Sequence, residues 1–313
     1  MKANYLFGPV ASRRLGRSLG VDLIPAKTCP FDCVYCEVGR TTRHTSERKS
    51  YVSAEEVLAQ LEEFFSGGGQ ADYVTFSGSG EPTLSMDLGR LIRETKKRFG
   101  VAVAVITNGA LLGDAGVRGE LAEADVVIPS LDSARQCSFE AVNRPVAGTA
   151  VEDIIEGLAR FVKGFTGHVW LEVLLVGGIN DSDEDITALA GAIARIRPEK
   201  VQLNTIVRPP ADRGMRPASA ERLEEAAQAF SRVAMTEIVV PASLRASGEA
   251  PDDARATILS TILRRPCTAE DLAAGLSIPL DVVEETLGEL VSEGCVRKVT
   301  VSAGDYYEPA GKT

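Results

Sequence analysis

The 313-residue sequence predicts an α/β protein built from repeated strand–helix units, followed by a small C-terminal domain. Two observations carry that reading. Apolar strand runs alternate with amphipathic helix patterns through residues 1–240, the mark of βα units joined by right-handed crossovers. The alternation then breaks in Pro241-Ala-Ser-Leu-Arg-Ala-Ser-Gly-Glu-Ala-Pro-Asp-Asp253, a linker by its Pro, Gly and Ser. The expected domains are therefore 1–240 and 254–313, with 241–253 between them. Hydrophobic residues make up 44% of the chain, enough for a large core. No apolar run approaches the ~20 residues of a membrane helix, and the N-terminus lacks a signal-peptide pattern, so a cytoplasmic protein is expected.

Strands are expected at 19–24, 72–77, 101–106, 125–130, 168–176 and 200–207. Runs such as Val169-Trp-Leu-Glu-Val-Leu-Leu-Val176 suit a parallel sheet covered by helices. Helices are expected at 53–65, 87–99, 114–123, 149–163, 183–196 and 217–233. The first opens on a capping box, Ser53 with Glu56. Beyond the linker come helices at 254–264, 268–275 and 279–293, then two strand-like pieces, Val296–Val301 and Asp305–Tyr307. Ile258, Leu259, Leu263, Leu272, Val283, Leu287 and Leu290 are the apolar residues this small domain must bury.

The chemistry is concentrated in Lys27-Thr-Cys-Pro-Phe-Asp-Cys-Val-Tyr-Cys-Glu37. Cys29, Cys33 and Cys36 have the spacing C-x3-C-x2-C, with Tyr35 just before the last. Three thiolates on one loop can hold three irons of a cubane cluster and leave the fourth open. A structural zinc site competes with this, but zinc usually takes four ligands as two separated pairs, and the one nearby fourth candidate is His44. Cys137, Cys267 and Cys295 are isolated and read as small buried hydrophobes, not a disulfide framework.

Downstream, the 72–77 strand runs into Gly78-Ser-Gly-Glu-Pro-Thr83. Its glycines allow close backbone approach to a ligand, and Glu81 can accept from an ammonium. The same residues also suit an ordinary strand-to-helix turn. The next two strands end in Thr107-Asn108-Gly109 and Ser130-Leu131-Asp132. Polar residues at the carboxyl ends of barrel strands are where active sites gather, although Asn108 and Ser130 also suit helix caps. Gln202 and Asn204 alternate on one face of the last strand, either toward the barrel interior or bonded to neighbouring strands.

The cysteine spacing with its aromatic, and the Gly-Glu-Pro segment after it, resemble the radical S-adenosylmethionine (radical SAM) superfamily over roughly residues 5 to 240. The resemblance implies a partial (β/α)6 barrel open on one side. It also implies a [4Fe–4S] cluster on Cys29, Cys33 and Cys36, with S-adenosylmethionine at the open iron. Tyr35 would lie against the adenine. Gly78, Gly80 and Glu81 would take the amino group, and Asn108, Ser130 and Asp132 the ribose or carboxylate oxygens. A one-electron reductant, flavodoxin- or ferredoxin-like, would drive cleavage to methionine and a 5′-deoxyadenosyl radical that abstracts hydrogen from a substrate. The substrate class stays open between small molecule, RNA and protein. Phe7–Val21, Glu37–Thr42 and Asn143-Arg-Pro145 resemble a branch grouped with the tRNA wyosine-synthesis enzymes. Those enzymes carry a second cluster on earlier cysteines, and this chain has no cysteine before Cys29. Two other functions use the same motifs: an activator that installs a glycyl radical on a partner protein, and an iron–sulfur sensor.

Net charge is −10, yet residues 1–50 hold nine Lys/Arg against four Asp/Glu, a local +5. Arg13, Arg14, Arg17 and Arg40 bracket the cysteine loop and are candidates for an anionic substrate; a rim of solvated ion pairs is the alternative. The C-terminal domain, three helices and a hairpin, resembles a winged helix-turn-helix. Its third helix carries Asp281, Glu284, Glu285, Glu289 and Glu293 and no Lys or Arg, which weighs against duplex DNA and toward protein contact or substrate presentation.

Overall fold

A computed structural model describes residues 4–12, 14–239, 254–276, 278–301 and 304–311. The chain begins with an antiparallel pair, β1 (Leu6–Ser12) and β2 (Gly16–Val21). A two-residue parallel pair, β3 (Thr28–Cys29) and β4 (Arg43–His44), brackets the cysteine loop. Then follow α1 (Ala54–Ser66), β5 (Tyr73–Phe76), a 3-10 turn (Pro82–Leu84), α2 (Leu88–Phe99), β6 (Ala102–Thr107), α3 (Ala115–Leu121) and β7 (Val126–Pro129). The rest of this unit is α4 (Gln136–Asn143), α5 (Val151–Gly164), β8 (His168–Leu175), α6 (Asp183–Ile196), β9 (Lys200–Thr205), α7 (Ala220–Ser231) and β10 (Met235–Ile238).

One eight-stranded sheet orders these strands β1-β2-β5-β6-β7-β8-β9-β10, parallel throughout except for β1. It is a mixed α/β sheet of the partial-barrel kind. All six expected strands lie in it. Two more were not legible. β1 is interrupted by Gly8-Pro9, which reads as a turn, and β10 spans only Met235–Ile238. The eight-residue α4 was also missed, being too short to establish a helical period.

Alternation sets the two faces of the sheet. In β8, Val169, Leu171, Val173 and Leu175 are buried and belong to the main core, which also holds Ile154, Leu158, Leu189 and Ile193 of α5 and α6. The opposite side carries Trp170, Glu172 and Leu174. Helix starts follow the expected chemistry. Ser53 Oγ accepts from Glu56 N at 3.3 Å, but the Glu56 carboxylate takes the Tyr5 hydroxyl at 2.8 Å instead of closing the capping box.

The C-terminal unit consists of α8 (Ala254–Arg264), α9 (Ala269–Leu276), α10 (Leu280–Ser292) and an antiparallel hairpin, β11 (Val296–Val301) with β12 (Gly304–Pro309). Its own core holds Ile258, Leu272, Val283, Leu287 and Leu290, with Leu259 packed against it. Leu263 departs from expectation and is 50% exposed. Val10 of β1 packs against this core, and Arg264 lies over the Phe7 ring, 4.7 Å from its centroid. Among the described residues, no helix is long and apolar enough to cross a membrane.

Candidate active site

The cysteine loop is fastened on both sides. Lys27 O accepts from Thr42 N and Arg43 N at 3.0 and 2.9 Å, and Cys29 O accepts from Thr45 N at 3.0 Å. On the other side the loop lies along the end of α4. Asp32 N donates to Asn143 O at 3.0 Å, Val34 N to Val142 O at 2.9 Å, and Val146 N to Pro30 O at 2.9 Å. Two side-chain amides reach the thiols: Asn108 Nδ2 lies 3.4 Å from Cys29 Sγ, and Asn143 Nδ2 lies 3.3 Å from Cys33 Sγ.

Electrostatics ties the three cysteines into one group. Burial raises all three thiols above their ordinary range. The Glu81 charge then adds to Cys29 and the Asp132 charge to Cys33, and Cys33 feels both other sulfurs. Thiols held this way become thiolates when an electropositive centre binds, so loading and deprotonation are coupled. Soft thiolates suit an iron–sulfur cluster. His44 Nε2 is bonded to Pro30 O at 2.9 Å, which leaves Nδ1 as its one free ring nitrogen, so the zinc alternative turns on whether the donors gather around one point. Among the described residues, no three His, Cys, Asp or Glu side chains gather closely enough for a single metal ion. A cluster in which each thiolate takes its own iron asks for a wider spacing. The donor set therefore fits a cluster.

Glu81 is 2% exposed and collects four donors. Oε1 accepts from Thr83 N (3.0 Å), Thr83 Oγ1 (2.6 Å) and Thr107 Oγ1 (2.6 Å), and Oε2 accepts from Asn108 N (2.7 Å). Burial raises its pKa, and the bonds from Thr107 and Thr83 oppose that rise. Glu81 also caps the 3-10 turn, which bears out the turn reading of this segment. A Cβ on Gly80 would stand 2.3 Å from Thr28 O, so only glycine lets this segment lie against β3. Gly78 has φ +132° beside the Asp22 carboxylate, another position reserved for glycine.

A cavity of about 860 Å³ opens over this floor. The barrel lines it with Cys29, Gly78, Gly80, Glu81, Asn108 and Ser130, and the C-terminal unit lines it with Arg265, Thr268, Glu284 and Tyr307. Tyr35 and Asp132 lie off this cavity, around a small adjoining void that Asn108 and Ser130 also touch. The Tyr35 hydroxyl donates to Asp132 Oδ2 at 2.5 Å, Asn143 Nδ2 lies 2.7 Å from the same oxygen, and Leu174 N donates to Asp132 Oδ1 at 3.0 Å. Burial raises Asp132 to about 6, with the Tyr35 and Asn143 bonds pulling it back.

The basic rim resolves largely into ion pairs. Arg17 pairs with Asp72 at 3.5 Å and bonds Gln70; Arg40 pairs with Asp32 at 2.9 Å; Arg43 pairs with Glu47; Arg48 pairs with Glu120. Arg13 lies outside the described residues. Arg14 does line the cavity, 3.1 Å from Gln202 Oε1 and 3.2 Å from Glu172 Oε1. Gln202 and Asn204 sit on the Glu172 side of the sheet, but their amides are taken by neighbouring strands: Gln202 Nε2 donates to Glu237 at 2.6 Å and Asn204 Nδ2 to Glu172 at 2.7 Å.

Sequence reading did not single out Thr107, Glu172 or Arg208 as site residues. Arg208 joins the cysteine loop to α9, with Nη1 3.0 Å from Glu37 Oε1 and Nη2 3.5 Å from Asp271 Oδ2. The Glu37 charge raises its pKa further. A pairing across 171 residues leaves no local signal. Asn143 did carry one, the Asn-Arg-Pro segment.

A family model described as the radical SAM superfamily matches residues 23–190. A UPF0026 protein of Methanocaldococcus jannaschii is 35% identical over 229 residues, covering 72% of this chain and 71% of that protein. A Brachyspira hyodysenteriae protein named GTPase Obg is 36% identical over 303 residues, 96% of this chain; the chain spans 45% of that protein's length. Among solved structures, a radical SAM methyltransferase from Sphaerobacter thermophilus superposes with a TM-score of 0.56 at 20% identity, covering 71% of this chain and 65% of that one.

Proposed function

The chain belongs to the radical SAM superfamily and, within it, to the UPF0026 group, and from that premise we propose that Cys29, Cys33 and Cys36 hold a [4Fe–4S] cluster whose open iron faces S-adenosylmethionine. The observation that carries this is Cys29, on one short loop with Cys33 and Cys36, lining a cavity that also takes in Glu81, Asn108 and Ser130. Cluster and cofactor would supply the one-electron chemistry of the superfamily, with electrons from a flavodoxin- or ferredoxin-like donor.

The protein's part is positioning. Glu81, raised by burial yet bonded by four donors, is a fixed acceptor for the cofactor's ammonium. Gly78 and Gly80 let that ammonium approach the backbone. Asn108 and Ser130 offer polar atoms for ribose or carboxylate oxygens. Asp132 acts one layer back, holding the Tyr35 ring by its hydroxyl in the small void beside Asn108 and Ser130, so both support the cavity floor from outside it. Arg14, though paired with Glu172 as the other rim arginines are with their carboxylates, is the one of the described candidates Arg14, Arg17 and Arg40 that lines the cavity and so is placed to meet a substrate.

The C-terminal unit, which we read as a winged helix, serves as the far wall of the same cavity. Glu284 of α10 lines the cavity, so part of the helix that would enter a DNA groove is turned toward the barrel. The volume favours a small-molecule substrate lying between cofactor and C-terminal unit, with hydrogen abstraction as the reaction type. A polyanionic substrate such as tRNA suits the site less, because the rim arginines are already paired. The name of the Brachyspira relative is no guide, since the chain spans under half of it.

The test is anaerobic. Reconstituted, reduced protein mixed with S-adenosylmethionine should release 5′-deoxyadenosine slowly without added substrate, detected by chromatography. An intact cluster that never yields this product would favour the iron–sulfur sensor.

A further inference from the structure

The Asn143-Arg144-Pro145 segment has no role in that proposal, yet it touches the cysteine loop at every residue. Asn143 O and Arg144 O both accept from Asp32 N, at 3.0 and 3.2 Å, Arg144 takes a left-handed φ of 43° and pairs with Asp212 at 3.1 Å, and Pro145 bridges Phe31. Asn143 is 3% exposed. Its Nδ2 lies between two acceptors, Cys33 Sγ at 3.3 Å and Asp132 Oδ2 at 2.7 Å. Its Oδ1 is buried without a hydrogen-bond partner among the described residues. Turning the amide over would satisfy nothing: it would press an oxygen against a thiolate sulfur and a carboxylate. The two acceptors therefore fix the donor's direction, and the unpartnered oxygen is the consequence.

We propose that Asn143 is a positioning residue for the cluster: its side-chain N–H, aimed at Cys33 Sγ and locked by Asp132, raises the reduction potential of the cluster. This rests on the cluster assignment above. The physics is direct. One electron from a flavodoxin- or ferredoxin-type donor adds one negative charge to the cluster and its thiolates, with no bond made or broken. A donor aimed at a ligating sulfur stabilises that charge more than the oxidised state, and hydrogen bonds to sulfur are among the levers that set cluster potentials. Asn108 places a second N–H against Cys29 from the end of β6, so the two donors act on different ligands.

The experiment is an EPR-monitored redox titration of the reconstituted full chain, wild type against Asn143→Leu and Asn143→Ala. Iron and sulfide content are measured first. The expected result is full cluster content in both variants and about a tenfold shift of the reduction equilibrium toward the oxidised state, about 59 mV for one electron. A merely structural role would lower stability and leave the potential of the assembled cluster unchanged; that outcome overturns the inference. If neither variant folds, wild-type protein with ¹⁵N-labelled asparagine side chains decides. Pulsed EPR of the reduced cluster should detect two weakly coupled asparagine nitrogens, one of which survives Asn108→Ala, and finding none after that substitution refutes the proposal. Failure of the wild type to assemble any iron–sulfur cluster sinks the functional reading itself.

Discussion

The cysteine floor of the barrel and the C-terminal wall face each other across one cavity but are built in different ways. The floor is deeply buried, and its polar groups answer each other inside the sheet: Glu81 takes four donors, and Asp132 takes Tyr35, Asn143 and Leu174 N. The wall has its own core and meets the barrel through Val10, Phe7 and a few polar links. Arg213 grips both oxygens of Glu308 at 2.6 and 2.7 Å, the Tyr306 hydroxyl donates to Val207 O at 2.9 Å, and Arg208 spans Glu37 and Asp271. A buried floor preorganises chemistry, because every partner is fixed before a ligand arrives. The wall is held by a mixture of packing, a hydrogen bond and ion pairs, and Arg208 is the link through which it reaches the cysteine loop.

The sharpest way to break this contrast is at the cysteines. Substituting Cys29, Cys33 or Cys36 by Ala should take iron from about four per chain to near zero, since a cubane needs its full set of thiolates. Cys137 and Cys295 are exposed, against the expectation of burial that Cys267 alone of the three meets, and Ala at either should leave iron content unchanged. Metal analysis after anaerobic reconstitution reads both. Equal iron loss on either side would erase the distinction between loop and remainder.

Glu81→Ala comes next. It strands Thr83 N, Asn108 N and two threonine hydroxyls, which should cost about 3 kcal/mol in urea unfolding of the apoprotein. Cofactor affinity should fall by about tenfold or more with the loss of a charge-assisted acceptor. Titration calorimetry with S-adenosylmethionine on clustered protein separates this from the folding effect. Unchanged affinity would reduce Glu81 to a turn cap.

The wall should yield more gently. Arg213→Ala leaves Glu308 with Arg297 alone, at 2.9 Å, and should loosen the unit by about 1 kcal/mol. Hydrogen exchange of residues 254–301 should rise while that of β5 to β7 does not. Burial pushes the Glu308 carboxyl up, but Arg213 and Arg297 outweigh it and hold its pKa below the ordinary value of 4.5. A carboxyl depressed on docking contributes stability above its free value and loses it as pH falls through the docked value. Exchange at 254–301 should therefore rise below about pH 4.5 in the apoprotein, ahead of the barrel. Simultaneous loosening would show one cooperative body.

The smallest effect belongs to the rim. Arg40→Ala removes an exposed pair with Asp32 and should cost below about 0.5 kcal/mol, with cofactor binding unchanged. A clear loss of binding would restore the rim as an anion guide.

By itself the sequence determined the parts of this protein that depend on neighbours along the chain. The six central strands and the helices between them follow from runs of apolar residues at period 2 or 3.6, which any chain must bury on one face. The three cysteines, Tyr35 and the Gly-Glu-Pro turn lie within short segments, so their spacing was readable. Tertiary structure decided which charges are free and which are spent. Arg17 and Arg40 read as a basic rim because Asp72 and Asp32 are not visible as their partners in a linear count. Gln202 and Asn204 left two readings open, substrate contact or bonds to neighbouring strands, and Glu237 and Glu172 from adjoining strands take their amides. Asn143 reaches Cys33 across 110 residues and Arg208 reaches Glu37 across 171, and no periodicity encodes such a meeting. The physical reason is range. Secondary structure is set by backbone hydrogen bonds and burial over a few residues, whereas a site is set by which side chains exclude water together, and that is fixed only once the sheet has assembled.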